Sequence, residues 1–470
     1  MITTADAPLP SASNDEIEHV ALDEDYVLTA GFVEKVVDAA DDGDGLRLRG
    51  LLEDLHPADV ADLMGFLTVE HRGVVVLWLP PELLAATLPE LDDGIREEVL
   101  ERVPHLTLAE ALQELDSDDA AAVVEDLEDD RRERVLAAMP DLDRAAIESS
   151  LGYAEDSAGR LMQREVMAAP QFWSVGDTID HVRAQGEELP ELFFDIYVVD
   201  PLNRPVGGVA VSQLLRAPRS AALTDLMEPI NEIAVDQDQE EVAYVFEKYH
   251  LISAPVIDSA GRLVGQITVD DIVNIIQEEN REDILRLAGV SDEDRGSSIS
   301  EIVRGRVPWL AINLGTAVLG ASVISWFGAT IEQIIALAVL MPIVSAIGGN
   351  AGTQSLTVTV RALATRELNR SNSVRTFWRE IAVGVANGLV LSPLIGVAAG
   401  LWSGDWRIGA VISTAMVLNL IVAATVGVLT PLTLSRLKFD PAVSSAVFVT
   451  ATTDFFGFLI FLGLATLVLL

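Results

Sequence analysis

Five apolar stretches in the last third of the chain constrain its fold more than any other feature. They cover residues 307–327, a segment beginning near 334, 381–401, 408–434 and 442–470. Each is near or above the roughly 20 apolar residues that a helix needs to cross a bilayer. Only six of the 73 acidic and nine of the 31 basic residues lie beyond residue 305. That leaves residues 1–305 with a net charge of −45, against −42 for the whole chain. An acidic water-soluble part is therefore followed by an apolar membrane part.

Loop charges orient the membrane part. Arg304 and Arg306 precede the first stretch, and Arg361, Arg366, Arg370, Arg375 and Arg379 lie between the second and third. Arg436 and Lys438 separate the fourth from the fifth, whereas the other two loops hold only Glu332, and Asp405 with Arg407. The positive-inside rule then makes the soluble part cytoplasmic and puts the C-terminus outside. The first 20 residues lack a basic start and an apolar core, so no secretory signal is expected.

Two features inside the stretches are unfavourable in lipid. Between Met341 and Gln354, three glycines, a proline and two amides fall together and predict an interrupted second span. Asp454 stands well inside the fifth, where a carboxylate costs about 2.5–3.5 kcal/mol and so must face protein or water. One reading is close helix packing around a neutral, hydrogen-bonded Asp454. The other is a cation path, with Gly348, Gly349 and Gly352 admitting backbone to an ion and Asn350 and Asp454 supplying oxygen. Glu380, at a basic edge, is expected to pair with an arginine.

In the soluble part, two segments repeat: Val198-Val-Asp200 matches Val256-Ile-Asp258, and Gly207 matches Gly265. A two-residue difference in offset falls near 187–191. Each unit reads strand, helix, strand, turn, strand, helix, with the last strands at 209–211 and 266–269. The pattern resembles a tandem pair of CBS domains, which implies an adenosine-nucleotide site at Gly265, Thr268 and Asp271. The first unit has Ala210 and Gln213 at the equivalent positions, so at most one site per chain is expected. Upstream, residues 25–150 read as short helices with Pro, Asp and Gly breaks. The units 56–64 and 117–125 look like one repeated cap-plus-helix type, a superhelix. Asp38–Gly45 lacks the ligand spacing of a calcium loop.

The acidity excludes a nucleic-acid partner bound through its phosphates and favours cations. The absence of cysteine removes disulfides and thiolate chemistry. There is no HExxH, GxSxG or phosphate-binding loop, so no enzyme is expected.

The expected order is a tail (1–24), a cytoplasmic all-α superhelical domain (25–155), an α/β CBS pair (156–218 and 219–269), a connecting helix (270–305) and five transmembrane helices (306–470). That order resembles MgtE-type magnesium channels, most specifically in Gly348-Gly-Asn-Ala-Gly-Thr-Gln354, Arg361-Ala-Leu-Ala-Thr-Arg366 and the Asp454 motif. The resemblance implies a homodimer in the cytoplasmic membrane whose pore is lined by the second and fifth spans of both subunits, with Asp454 as the pore aspartate. It also implies closure by intracellular Mg²⁺ held at Asp118, Gly159, Asp238, Glu240, Asp271, Glu279, Glu282 and Asp283. Ala86, Ala122, His250 and Asn274 stand where that family usually has carboxylates, which predicts closure at higher Mg²⁺. Transport of Mn²⁺, Co²⁺ or Ca²⁺ on the same scaffold is one other reading. A membrane-tethered nucleotide sensor that conducts nothing is another, disfavoured by Asp454.

Overall fold

The computed structural model describes residues 21–185, 189–190, 192–288, 290, 299–368, 371–441 and 445–470. Most of the expected tail and the loop where the repeat offset changes lie outside these residues. The described chain divides into two compact units, one reaching Ile276 and one beginning at Gln277.

The first unit opens with short helices running from Ala30–Asp41 to Asp141–Ser150. Their ends are set locally. Thr29 Oγ1 caps the first helix through Phe32 N, and His56 Nδ1 caps Pro57–Phe66 through Ala58 N at 3.3 Å. A proline at the first helical position, whose missing N–H has no helical partner anyway, starts both Pro57–Phe66 and Pro81–Thr87. Carbonyl ends are closed by arginines eight residues on: Arg72 Nε donates to Met64 O at 2.8 Å, and Arg132 Nε to Val124 O at 3.1 Å. These arginines recur 60 residues apart and are the chemical basis of the repeated unit. Leu48, Leu52, Leu63, Met64, Leu88, Leu100 and Leu108 are fully buried in one core. Each such side chain contributes about 2 kcal/mol through area removed from water.

Two three-stranded sheets follow. Strands β1 (Ala168–Pro170), β2 (Asp195–Val199) and β3 (Pro205–Ala210) repeat as β4 (Ile233–Ala234), β5 (Ser253–Ile257) and β6 (Leu263–Thr268). In each sheet the first pair is parallel and the second antiparallel, with Val198 opposite Gly207 and Val256 opposite Gly265. The turns are equivalent to the atom. Asp200 Oδ1 accepts from Leu202 N and Arg204 N, and Asp258 Oδ1 from Ala260 N and Arg262 N. Each turn needs one left-handed residue, Asn203 (φ 59°) in the first and Gly261 (φ 75°) in the second. Because these aspartate-anchored turns are so tight, β3 and β6 begin several residues earlier than expected from sequence.

A helix runs from Val269 to Ala288, and five long helices carry the candidate spans 302–326, 336–364, 373–403, 406–436 and 446–469. The sequence expectation of an interrupted second span is overturned: Ala336–Ala364 is one 29-residue helix with Pro342 inside it. In lipid every backbone group needs a partner, so the helix persists through its glycines. Those glycines serve approach instead. A Cβ at Gly348 would overlap the Asn419 side chain, and one at Gly352 would lie 2.5 Å from Val449 Cγ1.

Candidate functional site

In the first unit, the helix Ser117–Glu125 is fixed to the chain entering the CBS pair. Ser117 Oγ donates to Glu165 Oε2 at 2.8 Å and accepts from Arg164 N at 2.8 Å. Arg160 Nη2 pairs with Glu125 Oε1 at 2.5 Å. Ser117 is thus no helix cap, as its sequence position suggested, but an anchor between the superhelix and the CBS pair.

The anchor crowds carboxylates. Asp118 Oδ1 is buried with no hydrogen-bond partner. Burial first, then the charges of Asp271 and Asp119, push the Asp118 carboxyl well above its ordinary range. Asp271, at the first turn of the helix Val269–Ala288, accepts from Thr268 Oγ1 at 3.1 Å. Burial, then Asp270 and Asp119, raise it to about 7. Asp119 is raised to about 6 by burial, Asp116, Glu90 and Asp270, against a smaller opposing effect of Arg96. That arginine is already committed to Asp93 at 2.7 Å and Asp126 at 2.5 Å. No three described His, Asp or Glu side chains converge closely enough to hold a metal ion directly. What the cluster does have is one orphaned carboxylate oxygen and mutual repulsion among its acids.

Of the other expected regulatory positions, Gly159 packs so that a Cβ would lie 2.6 Å from the Tyr153 ring. Asp238 caps the helix Gln239–Tyr249 through Glu240 N at 3.0 Å, which places Glu240 in its first turn. At the far end of that helix His250 takes a left-handed conformation (φ 53°). Asn274 and Ala122 are exposed and Ala86 half-buried. Sequence reasoning missed Asp119 and Asp270 as members of the cluster. Their signal was the doubled acids Asp118-Asp119 and Asp270-Asp271.

The proposed ribose group faces the same cluster, since Thr268 and Asp271 bond each other and Gly265 lies against Met162 and Gln163. An open cleft of the CBS pair lies between the two repeats, lined from β2 and β3 of the first and β5 of the second. It is lined by Asp195, Tyr197, Ala210, Gln213, Glu228 and Ser253 among others, and no basic side chain lines it. Tyr197 Oη donates to Ser253 Oγ at 2.9 Å, and Ser253 Oγ to Asp195 Oδ2 at 2.8 Å. Such a lining repels phosphate.

In the second unit, Arg286 pairs with Glu282 and, through Nη1 at 2.6 Å, with Asp440. Burial, then Asp440 and Glu279, raise the Asp283 carboxyl. Glu279, Glu282 and Asp283 are thus gathered with Asp440, a residue the sequence did not single out.

Among the spans, Asp454 accepts a hydrogen bond from the Ser345 hydroxyl of the second span. Asn350, the expected oxygen donor, is exposed instead. It lies five residues from Ser345, a rotation of about 140° along a helix of 3.6 residues per turn. Gly349 is open, with Thr450 Cγ2 3.8 Å from a Cβ placed there. Glu380 accepts from Ser355 Oγ at 2.9 Å, a hydroxyl on the second span rather than the arginine expected.

Three family profiles match the chain: a divalent cation transporter profile over residues 341–464, an MgtE intracellular N domain over 55–156 and a CBS domain over 223–278. The magnesium transporter MgtE of Bacillus subtilis is 33% identical over 429 residues, 90% of this chain and 94% of that protein. That of Thermus thermophilus is 34% identical over 439 residues, 92% and 97% of the two. A crystal structure of the cytosolic domain of the Mg²⁺ channel MgtE in complex with ATP is 33% identical, with a TM-score of 0.49, and covers 52% of this chain and 99% of that one. With two relatives a third identical along nearly their whole length, this multi-pass membrane protein belongs to the MgtE family.

Proposed function

We propose that the chain moves Mg²⁺ across the cytoplasmic membrane as a homodimer, and that intracellular Mg²⁺ on the acidic cytoplasmic part closes the path. The carrying observation is Asp454, a carboxylate inside an apolar span and held by a hydroxyl of another span. Mg²⁺ dehydrates reluctantly and prefers six oxygens, so a carboxylate from each of two subunits would balance a hydrated ion through its water. Asn350, Gly348, Gly349 and Gly352 belong to this path, with the exposed Asn350 face directed to the partner subunit. The superhelix and CBS pair face the cytoplasm, as the arginine-rich loops favour, and the C-terminus lies outside.

Closure follows from charge. A ligand shifts an equilibrium only by its differential affinity for the two states. Asp118, Asp119, Asp270 and Asp271 repel one another in the described arrangement, and a bound Mg²⁺ removes that cost. Gly159, Asp238 and Glu240 complete the cytoplasmic set, and Glu279, Glu282 and Asp283 the connecting-helix set. An adenosine nucleotide at Gly265, Thr268 and Asp271 would compete with the cation for Asp271. AMP titrated calorimetrically should therefore bind more weakly as Mg²⁺ rises. The test of transport is Mg²⁺ uptake by liposomes holding the full chain, in competition with Mn²⁺, Co²⁺ and Ca²⁺. Mg²⁺ uptake outlasting tenfold competitor supports the reading, and preferential uptake of another ion contradicts it.

A further inference from the structure

Asn419 is completely buried in the fourth span, Trp406–Arg436. Its Nδ2 donates to Val344 O of the second span at 3.0 Å, and its Oδ1 has no hydrogen-bond partner. A glycine stands on either side. A Cβ at Gly348 would overlap Nδ2, and one at Gly457 in the fifth span would lie 2.9 Å from Nδ2 and 3.1 Å from Oδ1. The amide is therefore wedged where three spans meet, in a space that exists because two of them carry hydrogen for a side chain.

Those glycines are not placed at random along their helices. Gly348 follows Ser345 by three residues and Gly457 follows Asp454 by three, the spacing that shares a helix face. The contact that holds the second and fifth spans against Asn419 is thus on the faces that join Ser345 to Asp454. An apolar residue of similar volume would fill the wedge yet leave the helices free to slide, because dispersion contacts have no direction. A hydrogen bond to one carbonyl fixes their register.

We propose that Asn419 is a positioning residue for the ion path: it sets the separation and register of the second and fifth spans so that the Ser345 hydroxyl holds the Asp454 carboxylate. This rests on Asp454 being the ion-binding carboxylate. The role is indirect, and Asn419 needs no contact with the ion.

The experiment uses full-length chain in liposomes, with Mg²⁺ uptake and the Mg²⁺:Mn²⁺ uptake ratio as readouts. Asn419→Leu should lower Mg²⁺ uptake about tenfold, the equivalent of one buried hydrogen bond, and should reduce the Mg²⁺:Mn²⁺ ratio. Altered selectivity separates positioning of a binding group from a lower yield of folded protein. Gly348→Ala should be impaired as well. Combining Gly348→Ala with Asn419→Ser relieves the overlap with the methyl but also removes the amide that bonds Val344 O, so its Mg²⁺:Mn²⁺ ratio should stay below wild type. Wild-type uptake and selectivity in Asn419→Leu, or a wild-type Mg²⁺:Mn²⁺ ratio in the double variant, would overturn the inference. Should Asn419→Leu fail to assemble, the double variant decides. Normal uptake by Asp454→Ala, measured alongside, would instead overturn the ion-path reading beneath it.

Discussion

Two groups of carboxylates among the described residues are built on opposite principles. In the first unit Asp118, Asp119, Asp270 and Asp271 crowd one another, two of them raised to about 6 and about 7 by burial and neighbouring charge. In the membrane unit Asp454 stands alone and is met by a neutral hydroxyl. The crowded site is unfavourable until a cation arrives, which suits a sensor whose conformation must depend on that cation. The solitary site is satisfied without one, which suits a path that an ion must leave as readily as it enters. On the function proposed above, affinity would be concentrated where the ion is detected and kept low where it passes.

The largest effect expected from this contrast is at Asp454. Asp454→Ala should reduce Mg²⁺ uptake in liposomes to background while the protein remains folded by size-exclusion chromatography. Asp454→Asn keeps the shape and the Ser345 hydrogen bond but loses the charge, and should fall nearly as far.

Next come the crowded acids. Asp271→Asn should stabilise the Mg²⁺-free protein at neutral pH, because it removes a carboxyl that burial and then Asp270 raise to about 7. It should also remove most of the stabilisation that added Mg²⁺ gives. Thermal melts with and without chelator check both.

Protons should mimic part of that effect. In the unfolded chain these carboxyls titrate near pH 4, roughly, and in the folded chain Asp119 and Asp271 titrate at about 6 and about 7. Between those values the folded state binds more protons, so stability must fall as pH rises. Without Mg²⁺, the melting temperature should drop from pH 4.5 to pH 7.5, and saturating Mg²⁺ should flatten the slope.

Smaller again is the effect of restoring acids where this chain lacks them. Ala86→Glu with Ala122→Asp should shift protease protection of residues 270–288 to lower Mg²⁺ at constant ionic strength. The smallest is Ser355→Ala, which removes one hydroxyl from Glu380 and should change uptake less than threefold, an energy below about 1 kcal/mol.

What the sequence made legible follows the range of the physics. The spans are stated by local hydropathy, and Asp454 by its isolation within one. The CBS repeat is stated by aspartate turns whose partners are within four residues. The glycines of the second span were misread as breaks because helix propensity, worth about 1 kcal/mol per glycine, was weighed without the packing that decides the matter. Ser345 and Asn419 depend on a side chain 109 residues away and a backbone carbonyl 75 residues away, and no periodicity encodes which faces meet. The lone amide in an apolar window was a signal for Asn419 that could have been used. The Asp118–Asp271 group was reached through family resemblance alone, and the structure supplies its reason in the Ser117–Glu165 anchor.

The central claim is that detection and passage of the ion reside in different carboxylates. The most direct measurement is limited proteolysis of residues 270–288 across a Mg²⁺ titration, run beside Mg²⁺ uptake, for Asp454→Ala and for Asp118→Asn with Asp271→Asn. The account predicts that Asp454→Ala loses uptake but keeps Mg²⁺-dependent protection at the wild-type midpoint. It predicts that the double variant keeps uptake, loses protection and no longer shuts at high internal Mg²⁺. If Asp454→Ala abolished protection as well, or if the double variant still closed at the wild-type Mg²⁺ concentration, the two sites would not divide the work and the account would be contradicted.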